Sequence, residues 1–164
     1  MDTDSGAVTF IKNTKTQIVF EFCYLIATMI LASACLWSIH IGYVTVNSPT
    51  RWYLYSLIGG FLGGWAFDAK WFYRVTARGK DTQYPWKWEA NKIYWRILIP
   101  FISAIVAFSI YLAGISKIIP IVSINIGSGA DAFAFSFVMG YFSDTVIGKL
   151  AGVSHSLLGG EKSK

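Results

Sequence analysis

Charge is scarce in this sequence. Asp, Glu, Lys and Arg make up only 14% of its 164 residues, while 54% are apolar. A soluble domain carries charge at about a quarter of its positions, and one of this length cannot bury so much apolar surface. Cysteine is equally sparse: Cys23 and Cys35 share one apolar run, which excludes a disulfide framework and leaves both as small buried apolar residues. The two histidines, His40 and His155, have no second ligand at a useful spacing, so no metal site is expected. There is no Gly-x-Ser-x-Gly elbow and no phosphate-binding Gly-Lys-Ser/Thr loop. The sequence therefore predicts no cofactor and no enzymatic chemistry.

What is abundant is long apolar sequence. Crossing a hydrocarbon core of about 30 Å takes about 20 residues at 1.5 Å each, and four stretches reach that length: 18–43, 52–72, 93–115 and 130–150. They predict an all-α, polytopic four-helix membrane bundle. It is flanked by a 1–17 arm and a 151–164 tail, with a polar aromatic loop at 73–92. Tyr and Trp gather at the span ends, where amphipathic rings favour the interface. The run Ala32, Ser33, Ala34, Cys35 has the look of a lipoprotein cleavage box. Glu21 interrupts the would-be signal core, however, and apolar residues continue through Ile41, so an uncleaved span is expected.

Of the 14 Lys and Arg residues, only Arg51 and Lys117 lie on the side opposite the middle loop. The positive-inside bias puts both termini and that loop in the cytoplasm. The 70–96 segment carries seven bases against Asp81 and Glu89, which accounts for the net charge of +5 of the whole chain. Arg74, Arg78, Lys80 and Lys87, interleaved with Trp86 and Trp88, form a surface suited to an anionic inner leaflet or an acidic cytoplasmic protein; nucleic acid is a weaker match.

Small residues mark packing faces. Gly59, Gly60, Gly63 and Gly64 make two interleaved small-xxx-small pairs in the second span. Ala132, Ser136, Gly140, Asp144, Gly148 and Gly152 recur every four residues in the fourth, and Ala34, Ser38 and Gly42 do so in the first. These faces predict close helix partners, within one copy or between copies of a homo-oligomer. Ser128 and Asp131 fit a capping box that starts the fourth helix.

Ionisable residues inside a membrane are functional candidates because each costs at least about 2.5 kcal/mol at the helix centre. Glu21, Asp68, Arg96 and Asp144 lie near the cytoplasmic ends of their spans, at one depth with Lys70 and Lys149. One expectation is a rim of ion pairs. The other is an inner vestibule or gate, with Asp144 favoured because its small-residue stripe turns it toward protein.

The stretch Gly140-Tyr141-Phe142-Ser143-Asp144, followed by Lys149-Leu150, resembles a short segment near the last helix of assorted small bacterial inner-membrane proteins. The resemblance implies a bacterial inner-membrane protein and assigns no chemistry. Taken together, the residues predict a non-enzymatic oligomer that forms or gates a pore, as a channel or a membrane-perturbing effector. The alternatives are an anchor or sensor that docks a cytoplasmic partner on the basic loop and, third, a small proton-coupled carrier.

Overall fold

The computed structural model describes residues 14–76, 88–116 and 127–157, and they form five α-helices with no strand among them. The helices are α1 (Thr14–His40), α2 (Ser48–Thr76), α3 (Ile93–Ile115), α4 (Gly129–Tyr141) and α5 (Ser143–Leu157), with a single 3-10 turn, Ala90–Lys92, leading into α3. Two of these, α1 and the Ala90–Ile115 unit, are long and apolar enough to cross a membrane. The α3 bounds match the expected 93–115 span, whereas α1 and α2 each start before the apolar run does.

Local chemistry explains the ends. Gly42 adopts φ +82°, a left-handed conformation that glycine takes without strain. It closes α1 in a Schellman arrangement, with the Tyr43 N–H donating to the Ser38 carbonyl at 3.0 Å and the Gly42 N–H to the Ile39 carbonyl at 3.3 Å. Gly42 is thus a terminator and not part of a packing face. Arg51 then donates from Nη2 to the carbonyls of Ile39 at 2.9 Å and His40 at 3.1 Å, neutralising the negative end of α1. At the start of α4 the serine half of the expected capping box is present: the Asp131 N–H donates to Ser128 Oγ at 3.2 Å, while Asp131 Oδ2 accepts from the Ser128 hydroxyl at 2.8 Å and from the Gly127 N–H at 3.2 Å.

The core lies where α2 packs between α3 and α4. The four glycines of α2 divide between these two neighbours. A Cβ on Gly59 would strike the Phe133 carbonyl oxygen, and one on Gly63 the Phe137 carbonyl oxygen, both on α4. One on Gly60 would meet Ala107 Cβ at 2.7 Å, and one on Gly64 would meet Ser103 Cβ at 2.5 Å, both on α3. Gly140 returns the fit, since its missing side chain makes room for the Gly60 carbonyl. Backbone thus packs on backbone, and hydroxyl pairs pin the seams: Ser56 to Ser136 at 2.6 Å and Ser103 to Ser143 at 2.9 Å. These glycines are used up inside one copy, so they carry no weight for self-association.

Two expectations need correcting. The 130–150 span is not one helix, because it breaks at Phe142 (φ −101°, ψ 20°). Ser143, Asp144 and Thr145 are poor interior residues but good ones for a first helical turn, and Ser143 turns inward to Ser103. The stripe therefore ends early: Ala132, Ser136 and Gly140 are buried, while Asp144, Gly148 and Gly152 are exposed. Cys23 and Cys35 are exposed as well, because α1 presents only a narrow inner face. That face is Gln17, Glu21, Leu25, Ala32 and Ile39, and residues such as Val19, Ile30 and Leu31 point outward.

A candidate functional site: buried charges beside a cavity

Three helices each bring one ionisable side chain inward near the Trp88 end. Glu21 of α1 and Asp68 of α2 are 0% exposed, and Arg96 of α3 is 7% exposed. Arg96 Nη1 meets Glu21 Oε2 at 3.2 Å. The guanidinium also lies over the Trp88 ring, 4.3 Å from its centroid, and Trp88 Nε1 donates to Gln17 Oε1 at 2.9 Å. Gln17, Trp88, Arg96 and Glu21 thus form a chain of contacts, a circuit that leaves α1 at Gln17 and returns to it at Glu21, tying α1 to the entry of α3. Further along, Tyr24 Oη donates to the Ile97 carbonyl at 2.9 Å and Trp65 Nε1 to the Leu25 carbonyl at 2.8 Å.

The circuit leaves charge over. One guanidinium faces two carboxylates, and both oxygens of Asp68 lack a hydrogen-bond partner, as does Glu21 Oε1. An unpaired buried carboxylate is expensive, which makes Asp68 a candidate for a functional role. Asp68 forms part of the wall of a cavity of about 460 Å³, together with Arg96 and Asp144. Phe67, Trp71 and Trp95 supply aromatic walls. At the rim Glu89 and Lys92 satisfy each other at 2.9 Å.

All four predicted gate residues therefore meet here, with Glu21 behind the wall holding Arg96. Asp144 reaches the cavity from an exposed position at the start of α5, by a route other than the stripe that singled it out. A complete ionic rim does not form among the described residues: Lys70 donates to the Tyr141 hydroxyl at 2.7 Å instead, and Lys149 is exposed. Of the expected docking surface, Arg74 lies 5.7 Å from the Trp71 ring centroid and Trp88 is drawn into the polar circuit. Arg78, Lys80, Trp86 and Lys87 lie outside the described residues.

Sequence reasoning missed Gln17, and it placed Trp88 on an outer surface rather than against Arg96 and Gln17. Gln17 was assigned to the arm, yet it precedes Glu21 by one helical turn and shares its face, a signal that was available. Among the described residues no three His, Cys, Asp or Glu side chains gather closely enough to hold a metal ion. A second cavity of about 620 Å³ at the other end, beside Trp37, His40, Arg51 and Tyr55, has apolar and aromatic walls. No family model, curated protein or solved structure matches the chain.

Proposed function

We propose that this chain is a four-span protein of a bacterial inner membrane, with both termini cytoplasmic, whose copies form or gate a pathway for cations. The observation that carries this reading is Asp68: fully buried, without a hydrogen-bond partner, and part of a cavity wall. A carboxylate held there lowers the energy of a positive charge entering the membrane at that depth. The backbone contacts of α2 with α3 and α4 leave no channel between those helices, so a continuous pathway would run between copies of a homo-oligomer. The distribution of Lys and Arg supports the orientation, with the cavity opening toward the cytoplasm. Docking of a cytoplasmic partner on the basic loop is less favoured, because Trp88 and Arg74 are engaged within the chain.

The test is ion flux through liposomes that contain the purified full chain. Potassium flux well above chloride flux, lowered about tenfold by Asp68→Asn, is the expected result; tenfold corresponds to about 1.4 kcal/mol on the barrier. Vesicles that stay tight to potassium at either sign of membrane potential would end the reading, as would flux indifferent to Asp68→Asn.

A further inference from the structure

We infer that the cavity lined by Asp68 and Asp144 binds an organic ammonium ion, attracted by the charge of these two carboxylates, with an apolar body against Phe67, Trp71 and Trp95. This names the substrate class of the cation reading above and rests on it.

Charge sets the sign of the ligand. Of the ionisable groups in the wall, Glu89 and Lys92 satisfy each other and Arg96 is committed to Glu21. Asp68 and Asp144 are left in excess, and neither carboxylate has a hydrogen bond or ion pair among the described residues. Asp68 is completely buried, so solvent cannot compensate it; Asp144 stands at the exposed side, where an incoming cation would meet it first.

The walls set the kind of cation. A bare magnesium or calcium ion needs about six oxygen ligands, and two separated carboxylates among indole and phenyl rings do not supply them. A substituted ammonium ion needs no such shell. It is weakly hydrated and is attracted to the faces of aromatic rings. This end of the protein already holds cations in that way three times over. Arg96 lies 4.3 Å from the Trp88 centroid, Lys70 Nζ lies 5.3 Å from that of Tyr141, and Arg74 lies 5.7 Å from that of Trp71. Trp95, half exposed, offers a comparable ring to a ligand. The volume of about 460 Å³ lies within the ordinary range for small-molecule sites, about 300–1,000 Å³, and is far larger than an inorganic ion requires.

The experiment uses the full chain in mild detergent, with benzyltrimethylammonium as the probe and neopentylbenzene, its uncharged isostere, as the comparison. Binding is read from tryptophan fluorescence and checked by calorimetry. The expected result is saturable binding of the ammonium probe, weakened about tenfold by Asp68→Asn and several-fold by Trp95→Leu, with no saturable binding of the isostere. Equal binding of both compounds would overturn the inference, since it would mean an apolar hole. Absence of saturable binding, or binding unchanged in Asp68→Asn, would also overturn it. Should Asp68→Asn fail to fold, Asp144→Asn alters an exposed side chain and must weaken the probe in its place. Potassium flux measured on the same preparation separates the two claims. Asp68-dependent flux without probe binding removes the ammonium ligand and keeps the cation pathway. Probe binding without any flux keeps the site and removes the pathway.

Discussion

Replacing Gly63 by Ala adds one methyl group at the tightest point of the α2/α4 seam. The new carbon would collide with the Phe137 carbonyl oxygen and stand 2.7 Å from the Tyr141 backbone nitrogen. Ordinary contact begins near 3.4 Å, and neither obstacle is the end of a flexible side chain, so the helices must separate by roughly 1 Å. Separation loosens the dispersion contacts along the seam, the Ser56 to Ser136 hydrogen bond of 2.6 Å and the edge contact of Phe67 with Tyr141 at 6.0 Å. Overpacking of this kind costs about 1–3 kcal/mol. The gain in helix propensity returns about 1 kcal/mol or less, leaving a net loss. Gly148 supplies the control, because a Cβ there meets nothing within 4 Å, and Gly148→Ala should be neutral or slightly stabilising. The assay is reversible unfolding in mixed micelles, followed by tryptophan fluorescence, for both variants. A neutral Gly63→Ala beside a destabilising Gly148→Ala would refute the reasoning, since it would put the working small-residue face on α5.

Breaking the buried ion pair with Arg96→Met should cost about 3–5 kcal/mol in the same unfolding assay, and adding Glu21→Gln should recover part of the loss, because the carboxylate that Arg96 paired is then neutral while Asp68 stays uncompensated. Trp65→Phe removes the indole bond from α2 to the Leu25 carbonyl of α1 and should raise amide exchange along α1 while leaving α4 unchanged. Ser128→Ala removes the cap of α4 and should destabilise by about 1 kcal/mol, seen as faster exchange of the Asp131 amide. For topology, Thr45→Cys and Thr76→Cys, each in a background lacking Cys23 and Cys35, should differ in whole cells. A membrane-impermeant maleimide should label the first and spare the second.

Much of the architecture was legible because it depends on composition over long windows. Apart from Arg96 the 93–115 span carries no charged residue, and its bounds could be read from the sequence. The Ser128 and Asp131 cap was legible for the opposite reason, since two residues three positions apart decide it. The break at Phe142 was not: the periodicity of small residues runs through it unbroken, and the Ser143 to Ser103 bond that favours it joins residues in different helices. Asp68, Arg96 and Glu21 could be nominated from their depth, but which acid wins the single guanidinium depends on helix rotation. Asp144 was nominated by its place on the stripe, and it reaches the cavity only because the chain restarts as α5.

The Glu21 and Arg96 partners are 75 residues apart in the chain, and that separation matters for biogenesis. A ribosome adding about 5–20 residues per second delivers Arg96 roughly 4–15 s after Glu21. During that interval the Glu21 carboxylate waits without its guanidinium partner, and burying it unpaired costs more than burying the pair. Closure of α1 against α3 around this pair is therefore expected only after residue 96 has been made, in the second half of synthesis.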